Sequence, residues 1–124
     1  MKNPRISAKE RNLLKGAVRR VFSRSNLRRA IIEAAKIEHY DNIRSRVKKW
    51  GQCAECKQPT AMYQMQVDHI DPIIPLDLTL EDMSWDTVID RTWCAQTNLQ
   101  PLCIPCHKEK TKQERKARKQ KRTG

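Results

Sequence analysis

The chain has 124 residues, of which 32% are charged and only 5% aromatic, and its formal net charge is +12. A domain with so few large apolar residues has little material for a core, so we expect a metal or another cross-link to stabilise it. The sequence has no apolar run long enough to cross a bilayer and no segment of the signal-peptide type. We therefore expect a cytoplasmic protein without membrane association.

The charge is distributed unevenly along the chain. Residues 1–50 contain 15 Lys or Arg and 4 Asp or Glu, residues 51–106 contain 2 and 8, and residues 107–124 contain 9 and 2. Two basic arms thus flank an acidic centre. Basic arms suit a polyanion such as nucleic acid, whereas an acidic centre repels phosphate unless a bound cation reverses its sign. Solvated helices without a ligand are the alternative explanation of the arms.

The first fifty residues have the pattern of basic amphipathic helices. A capping box is expected at Ser7 and Glu10, and apolar residues then recur at helical spacing as far as Phe22. The run SRSN at 23–26 predicts a break. A second helix is expected over about 27–39, and a short third helix from Ile43 to a C-terminal cap at Gly51.

The predicted elements after Gly51 are short. A rough strand-like alternation runs through residues 60–70, and two prolines in residues 71–78 predict a loop. Residues 84–94 predict a helix with Ser84 as its N-cap. From residue 103 onward, the sequence predicts a polar helix that frays at its far end.

Two CxxC motifs are the strongest chemical signal in the sequence. They consist of Cys53 with Cys56 and Cys103 with Cys106. Each motif can supply two thiolates, and together they complete a closed tetrahedral zinc site. A redox role for one motif is the competing interpretation, but two motifs on turns, outside a βαβ pattern, favour zinc. Cys94 is left over and is expected to be a packing thiol.

Asp68 and His69 are neighbours in a predicted strand, so one of them should face inward, where an unpartnered polar group is costly. His107 directly follows Cys106. Because the cysteine cross-link joins the two motifs, we expect Asp68, His69 and His107 to converge. A carboxylate and an imidazole can hold a divalent ion, and a second imidazole can act as a general base. Ordinary hydrogen-bonded polar residues are the alternative.

Three stretches, VDHIDP at 67–72, NLQPLC at 98–103 and CHKEKT at 106–111, resemble the HNH endonucleases of the ββα-metal type with a four-cysteine zinc. The resemblance covers Trp50 to about Lys112, and the predicted helix at 84–94 is similar to one in small phage-associated members. It implies an α+β fold: a small, treble-clef-like, zinc-stapled ββα-metal finger with a basic helical N-terminal extension. The implied domains are residues 1–50, 51–112 and a basic tail, 113–124.

The resemblance also implies a role for each matching residue. His69 is expected to be the general base, and Asp68 and His107 the ligands of one catalytic divalent ion. Asn98 is expected to hold the loop and orient His69, with direct contact to the ion left open. Mg²⁺ or Mn²⁺ is the preferred catalytic ion, although the donor set also suits Ni²⁺ and Zn²⁺. The implied structural zinc ligands are Cys53, Cys56, Cys103 and Cys106.

The expected function is metal-dependent hydrolysis of DNA phosphodiester bonds, mainly in double-stranded DNA, by nicking or double-strand cleavage. Phage packaging partners, and a host cytoplasm as location, are expected by analogy only. The basic arms supply the predicted nucleic-acid contacts. These contacts are Arg19, Arg20, Lys48, Lys49, Lys108, Lys110 and Lys112.

Two other classes of protein compete with this interpretation. A non-enzymatic zinc module that binds nucleic acid through its arms explains the cysteines and the charge, but leaves Asp68, His69, Asn98 and His107 as coincidences. An interaction protein of the RING or LIM type predicts a second zinc site and no basic excess, and the sequence shows neither.

Overall fold

A computed structural model of the protein describes residues 5–39 and 46–123, and these residues have an α+β architecture with two small antiparallel sheets. The strands are β1 (Lys36–Ile37), β2 (Trp50–Gln52), β3 (Pro59–Ala61), β4 (Gln66–His69) and β5 (Leu99–Leu102). The helices are α1 (Ala8–Ser23), α2 (Asn26–Ala34), α3 (Trp85–Thr92) and α4 (Ile104–Thr123).

Local hydrogen bonds set the ends of the helices where the sequence predicts them. Ser7 Oγ accepts from the Glu10 N–H and the Glu10 carboxylate accepts from the Ser7 N–H, both at 3.1 Å. The predicted capping box is therefore confirmed. Ser25, within the predicted break at 23–26, caps α2, and Ser84 caps α3 by accepting from the Thr87 N–H.

Two predictions for the N-terminal segment are wrong. α2 ends at Ala34 rather than near residue 39, because the chain then becomes extended and pairs Lys36 with Gly51. The predicted third helix is absent from residues 46–52, where Trp50 begins β2 instead, and residues 40–45 lie outside the described residues. β2 pairs with strands on both sides, and these two ladders outweigh a weak helical pattern.

Gly51 is explained by packing rather than by the predicted helix cap. It is buried in the middle of β2, and a Cβ atom there would collide with the sulfur of Met65. Met65 is fully buried just before β4. The close approach of these two residues brings the first sheet against the start of the second sheet.

The second sheet consists of β4 and β5 in antiparallel pairing. Its register places Asp68 opposite Gln100 and His69 opposite Leu99. Directly opposed residues in an antiparallel pair point to the same face of the sheet, so Asp68 and Gln100 share one face. A long connection that contains α3 joins the two strands.

The main core joins the N-terminal helices to this second sheet. Phe22 of α1, Ile31 of α2 and Leu99 of β5 form a buried cluster, and the Trp93 ring meets Phe22 edge-on at 5.6 Å between centroids. Elements on both sides of residue 50 therefore share one core. The domain boundaries at residues 50 and 112 stay predictions, and α4 runs across the second of them.

α4 packs through polar side chains. His107, Lys110, Glu114 and Arg118 follow each other at spacings of three or four residues and are all partly buried. Residues at this spacing share one face of a helix, so α4 contacts the body of the protein through a polar stripe. Of the helices in the described residues, α4 included, none combines the length and the apolar character that a membrane span requires.

The predicted loop after β4 is confirmed, and two arginines determine its path. Arg91 of α3 donates to the carbonyl oxygens of Pro72 and Ile73, both at 2.7 Å. Arg118 of α4 donates to the next two carbonyl oxygens at 2.6 and 2.9 Å. The loop is thus held between α3 and α4 by charged donors.

Candidate functional site

The four cysteines of the two CxxC motifs meet at one point. All four sulfur atoms lie within 4.8 Å of one another, and Cys56 Sγ is 3.8 Å from Cys103 Sγ. Four sulfurs bonded to one zinc at about 2.3 Å would be separated by about 3.8 Å, the edge of a regular tetrahedron. The cluster therefore fits a structural metal site, and its chemistry suits zinc.

Backbone geometry brings the two motifs together. The first motif forms the turn between β2 and β3, where Lys57 has a φ of 63° and donates its N–H to the Cys53 carbonyl at 3.0 Å. This turn is tied to β5 because the Ala54 N–H donates to the Pro101 carbonyl at 2.8 Å. In the second motif, Cys103 directly follows β5 and Cys106 lies in the first turn of α4.

The thiols of the cluster differ in acidity. Burial raises the pKa of Cys53, but hydrogen bonds from the N–H groups of Cys103, Cys56 and Glu55 outweigh it and lower the pKa to about 6. For Cys106, hydrogen bonding to the Cys103 thiol and burial raise the pKa to about 12. One thiolate therefore forms readily, whereas a bound cation is needed before all four can ionise together.

A separate cavity of about 320 Å³ lies between α1, β4 and α4. Asp68, His69 and His107 all line it. β4 carries the first two residues, and the first turn of α4 carries the third. The structure thus brings the three polar residues that the sequence singles out to one cavity, and their chemical roles stay predictions.

Asp68 is the inward-facing member of the Asp68–His69 pair, with 7% of its surface exposed. Its Oδ2 accepts from Lys110 Nζ at 2.8 Å and from Gln100 Nε2 at 2.9 Å. These two partners remove the cost of burying the carboxylate. Within the described residues, Oδ1 of Asp68 has no recorded hydrogen bond, so this second oxygen is available to a ligand.

Lys110 joins α4 to β4 at two points and has a third partner within α4. Besides Asp68, its ammonium contacts Glu114 Oε1 at 3.0 Å and donates to the His69 carbonyl at 2.7 Å. Burial lowers the pKa of Lys110, but the bonds to Asp68 and Glu114 outweigh it, so the net shift is upward and the charge is retained. The nucleic-acid contact of Lys110 stays a prediction, and its ammonium has internal partners.

The ring of His69 is oriented by α3 and α1. Its Nε2 lies 2.8 Å from the carbonyl oxygen of Thr92, at the end of α3, where helix carbonyls lack partners within the helix. A carbonyl only accepts, so Nε2 carries the hydrogen, and Nδ1 of the neutral ring is left as an acceptor. Phe22 packs against the ring with centroids 5.2 Å apart.

Asn98 holds the backbone immediately after His69. Its Oδ1 accepts from the Asp71 N–H at 2.8 Å, its Nδ2 donates to the Asp71 carbonyl at 3.1 Å, and its own carbonyl accepts from the Ile70 N–H at 2.8 Å. These contacts fit the loop-holding part of the role that the resemblance implies. The recorded contacts to the His69 ring come from Thr92 and Phe22.

The backbone of His107 is tied to the second CxxC motif. The residue follows Cys106 in the first turn of α4, and its N–H donates to the Cys103 carbonyl at 2.9 Å. Within the described residues, its ring has no recorded hydrogen bond, although it lines the cavity. Its nitrogen atoms are therefore available to a ligand.

Several residues of this site are not assigned to it by the sequence. Gln100 is recognised only from the β4–β5 register, and Thr92 only because a helix ends beside His69. Phe22 has the helical spacing of a core residue, which it also is. Of the contacts in this site, the sequence spacing indicates the one within α4. There Lys110 and Glu114 have opposite charges and are four residues apart, as in a helical ion pair.

The predicted nucleic-acid contacts occupy different environments. Arg19 is exposed at the rim of the cavity, and Lys110 is internal. The remaining predicted contacts are exposed, and they are Arg20, Lys48, Lys49, Lys108 and Lys112.

Comparisons of the chain with protein-family models, with curated proteins and with solved structures found no match. A functional conclusion therefore depends on the residues and geometry of the site. Within the described residues, the four-cysteine cluster and the cavity lined by Asp68, His69 and His107 are the features considered for function.

Proposed function

We propose that the protein is a metal-dependent DNA endonuclease of the HNH type. In this proposal β4, β5 and α4 form the ββα-metal finger, and the four cysteines hold a structural zinc. The observation that carries the proposal is that Asp68, His69 and His107 line one cavity, where a backbone hydrogen bond ties His107 to Cys103.

His69 is the general base in this mechanism. The hydrogen bond to Thr92 leaves Nδ1 as the accepting nitrogen, and packing against Phe22 limits rotation of the ring. A general base must have a free lone pair within hydrogen-bond reach of the attacking water. Nδ1 of His69 meets the first of these requirements, and its position on the cavity wall allows the second.

In this proposal, Asp68 and His107 are the protein ligands of a catalytic divalent ion. Oδ1 of Asp68 and the ring of His107 have no recorded partner within the described residues, and two protein ligands leave positions for water and substrate. A divalent ion bound there, Mg²⁺ or Mn²⁺ by preference, would act as a Lewis acid that stabilises charge on the phosphate and on the leaving oxygen.

The proposed reaction is hydrolysis of a phosphodiester bond. The water oxygen attacks phosphorus while His69 Nδ1 accepts a proton from that water. The bond between phosphorus and the 3′ oxygen breaks, and the 3′ oxygen takes a proton from solvent. The products carry a 5′-phosphate and a 3′-hydroxyl. Asn98 assists by keeping the backbone after His69 in place through its bonds to Asp71.

Conversion of supercoiled plasmid tests the proposal. The zinc-loaded protein is incubated with plasmid and Mg²⁺ or Mn²⁺, and open-circular and linear products are measured by gel electrophoresis. We expect conversion with the ion and none without it, and Asp68→Asn should lose the ion-dependent activity. Plasmid that stays supercoiled with both ions, in the presence of folded, zinc-loaded protein, would contradict the proposal.

The second candidate is a non-enzymatic zinc module that binds nucleic acid. One observation favours it: Oδ2 of Asp68 is already held by Lys110 and Gln100, as expected for a structural carboxylate. This candidate predicts that plasmid is retarded in the gel but never converted. The same experiment therefore separates the two functions.

A further inference from the structure

The cavity that contains the candidate catalytic residues is also lined by cations from three helices. α1 contributes Lys15 and Arg19, α2 contributes Arg28, and α4 contributes Arg118. Of these four, only Arg19 belongs to the nucleic-acid contacts expected from the sequence. α1 and α2 are consecutive, but strands β1 to β5 separate them from α4 in the sequence, so only the folded structure gathers these charges.

The acids of the cavity do not neutralise these cations. Asp68 and Glu114 also line the cavity, but both are paired with Lys110, at 2.8 and 3.0 Å. Arg28 and Arg118 donate to backbone carbonyl oxygens, which carry no net charge. A hydrogen bond to a carbonyl orients a guanidinium group and leaves its positive charge uncompensated.

Lys15 and Arg19 have no recorded ion pair within residues 5–39 and 46–123. They are four residues apart on one face of α1, and Lys15 is partly buried. Burial lowers the pKa of Lys15, and the nearby charges of Arg19 and Arg118 lower it further. Like charges held together at a partly buried position cost free energy, and a bound anion would offset that cost.

We propose that Lys15 and Arg19, together with Arg118, form a phosphate-binding subsite for the DNA backbone beside the scissile phosphate. The inference rests on the proposed function, and it makes α1 part of the substrate site. Ligand pockets range from about 300 to 1,000 Å³, so a cavity of about 320 Å³ suits a short backbone segment rather than a whole duplex. The remainder of the duplex would lie outside it.

A pair of charge-matched double variants tests the subsite. Lys15→Gln with Arg19→Gln removes two cations from the cavity, and Lys9→Gln with Arg29→Gln removes two exposed cations that do not line it. Binding of a fluorescently labelled DNA duplex is measured by anisotropy at several salt concentrations, with zinc-loaded protein and without Mg²⁺ or Mn²⁺. Thermal melting confirms that both variants are folded.

In the cavity variant, two DNA phosphates should be left without a cationic partner, and in the control variant none. Each phosphate that is no longer neutralised reduces the log–log salt slope by about 0.9, so the slope should fall by about 1.8. If affinity at 1 M salt is unchanged, this corresponds to a Kd roughly 60-fold higher at 0.1 M salt. An equal weakening in both double variants, or unchanged binding in the cavity variant, would overturn the subsite.

The same variants separate failure of the subsite from failure of the proposed function. If plasmid is cleaved but the cavity variant matches wild type in both Kd and KM, the subsite is wrong and the nuclease function stands. If plasmid is never cleaved but DNA binding is weakened selectively in the cavity variant, the nuclease function is wrong and the phosphate site stands. With both correct, KM rises and kcat stays within a few-fold.

Discussion

The cysteine cluster and the cavity beside it satisfy their polar groups in different ways. In the cluster, four thiols lie within 4.8 Å of one another, and hydrogen bonding among them and burial raise the pKa of Cys106 to about 12. In the cavity, the buried carboxylate of Asp68 already has Lys110 and Gln100 as partners. A bound cation would therefore stabilise the cluster, whereas the Asp68 carboxylate already has its partners within the fold.

Breaking the cluster should have the largest effect. Cys53→Ser or Cys106→Ser should abolish metal binding and unfold residues 51–112. Structural zinc contributes roughly 10–16 kcal/mol in small zinc-binding peptides, comparable to the whole stability of a domain. Atomic absorption and circular dichroism measure the two effects. Cys94→Ser is the matched control. Cys94 lies outside the cluster, so this variant should keep its zinc. A folded Cys53→Ser protein with one zinc would disprove the structural assignment.

Changing a catalytic residue of the cavity should slow cleavage strongly without unfolding the protein. His69→Ala should lower the rate of plasmid cleavage by about 10²–10⁴-fold, the usual contribution of a general base, and leave zinc content and DNA affinity near wild type. His39 contacts Trp50 outside the cavity, so His39→Ala is the control and should cleave normally. Activity within a few-fold of wild type in His69→Ala would make the assignment of the base wrong.

Lys110→Met should show whether the cavity, like the cysteine cluster, can bind an ion. The variant keeps the aliphatic stem but removes the ammonium group that pairs with the Asp68 carboxylate. Without Mn²⁺, the unfolding free energy of the protein should therefore fall by about 1–3 kcal/mol. Added Mn²⁺ should raise its Tm more than that of wild type, because an ion replaces the missing positive charge. Differential scanning fluorimetry with a Mn²⁺ titration measures both effects.

The control for this comparison is Lys112→Met, an exposed lysine on the same helix. It should match wild type in both measurements. If the Tm of Lys110→Met responds to Mn²⁺ no more than the control does, Asp68 is a structural carboxylate and not an ion ligand.

The smallest expected effect concerns the end of α4. Arg115→Gln with Lys116→Gln removes two exposed charges. The log–log salt slope of duplex binding should fall by about 0.9 for each phosphate that these side chains neutralise. The Tm should not change. Arg118→Gln should instead lower Tm, because its guanidinium holds the loop carbonyls of Ile74 and Pro75. Anisotropy and thermal melting separate the two classes, and an unchanged slope in the double variant would identify those two side chains as solvated surface.

The features predicted correctly from sequence are those decided within a few residues. The capping box at Ser7 and Glu10, the break within residues 23–26 and the Ser84 cap each depend on contacts over about three residues. The cysteine cluster was also predictable, because four thiols in two CxxC motifs have one common chemical use.

The features missed depend on pairing between distant segments. The expected third helix became β2 because β1 and β3 pair with it from both sides, and no local pattern encodes that choice. Asp68 obtained its partners from positions 32 and 42 residues later in the chain, through the β4–β5 register and the packing of α4. The polar stripe of α4 is not predictable from periodicity, because periodicity identifies a buried helix face by its apolar residues.

The sequence by itself determined the helix caps, the metal-binding chemistry of the four cysteines and the basic character of both arms, since each follows from residue type and short spacing. Only the tertiary structure decided that Asp68 faces inward toward Lys110, and that Phe22 and Thr92 orient His69. The tertiary structure also decided that Lys15, Arg19 and Arg118 share a cavity with them. The physical reason is that a buried charge or ring is stabilised by the groups that the fold places beside it. Here those groups include residues of α1 and α4, which are far apart in the sequence.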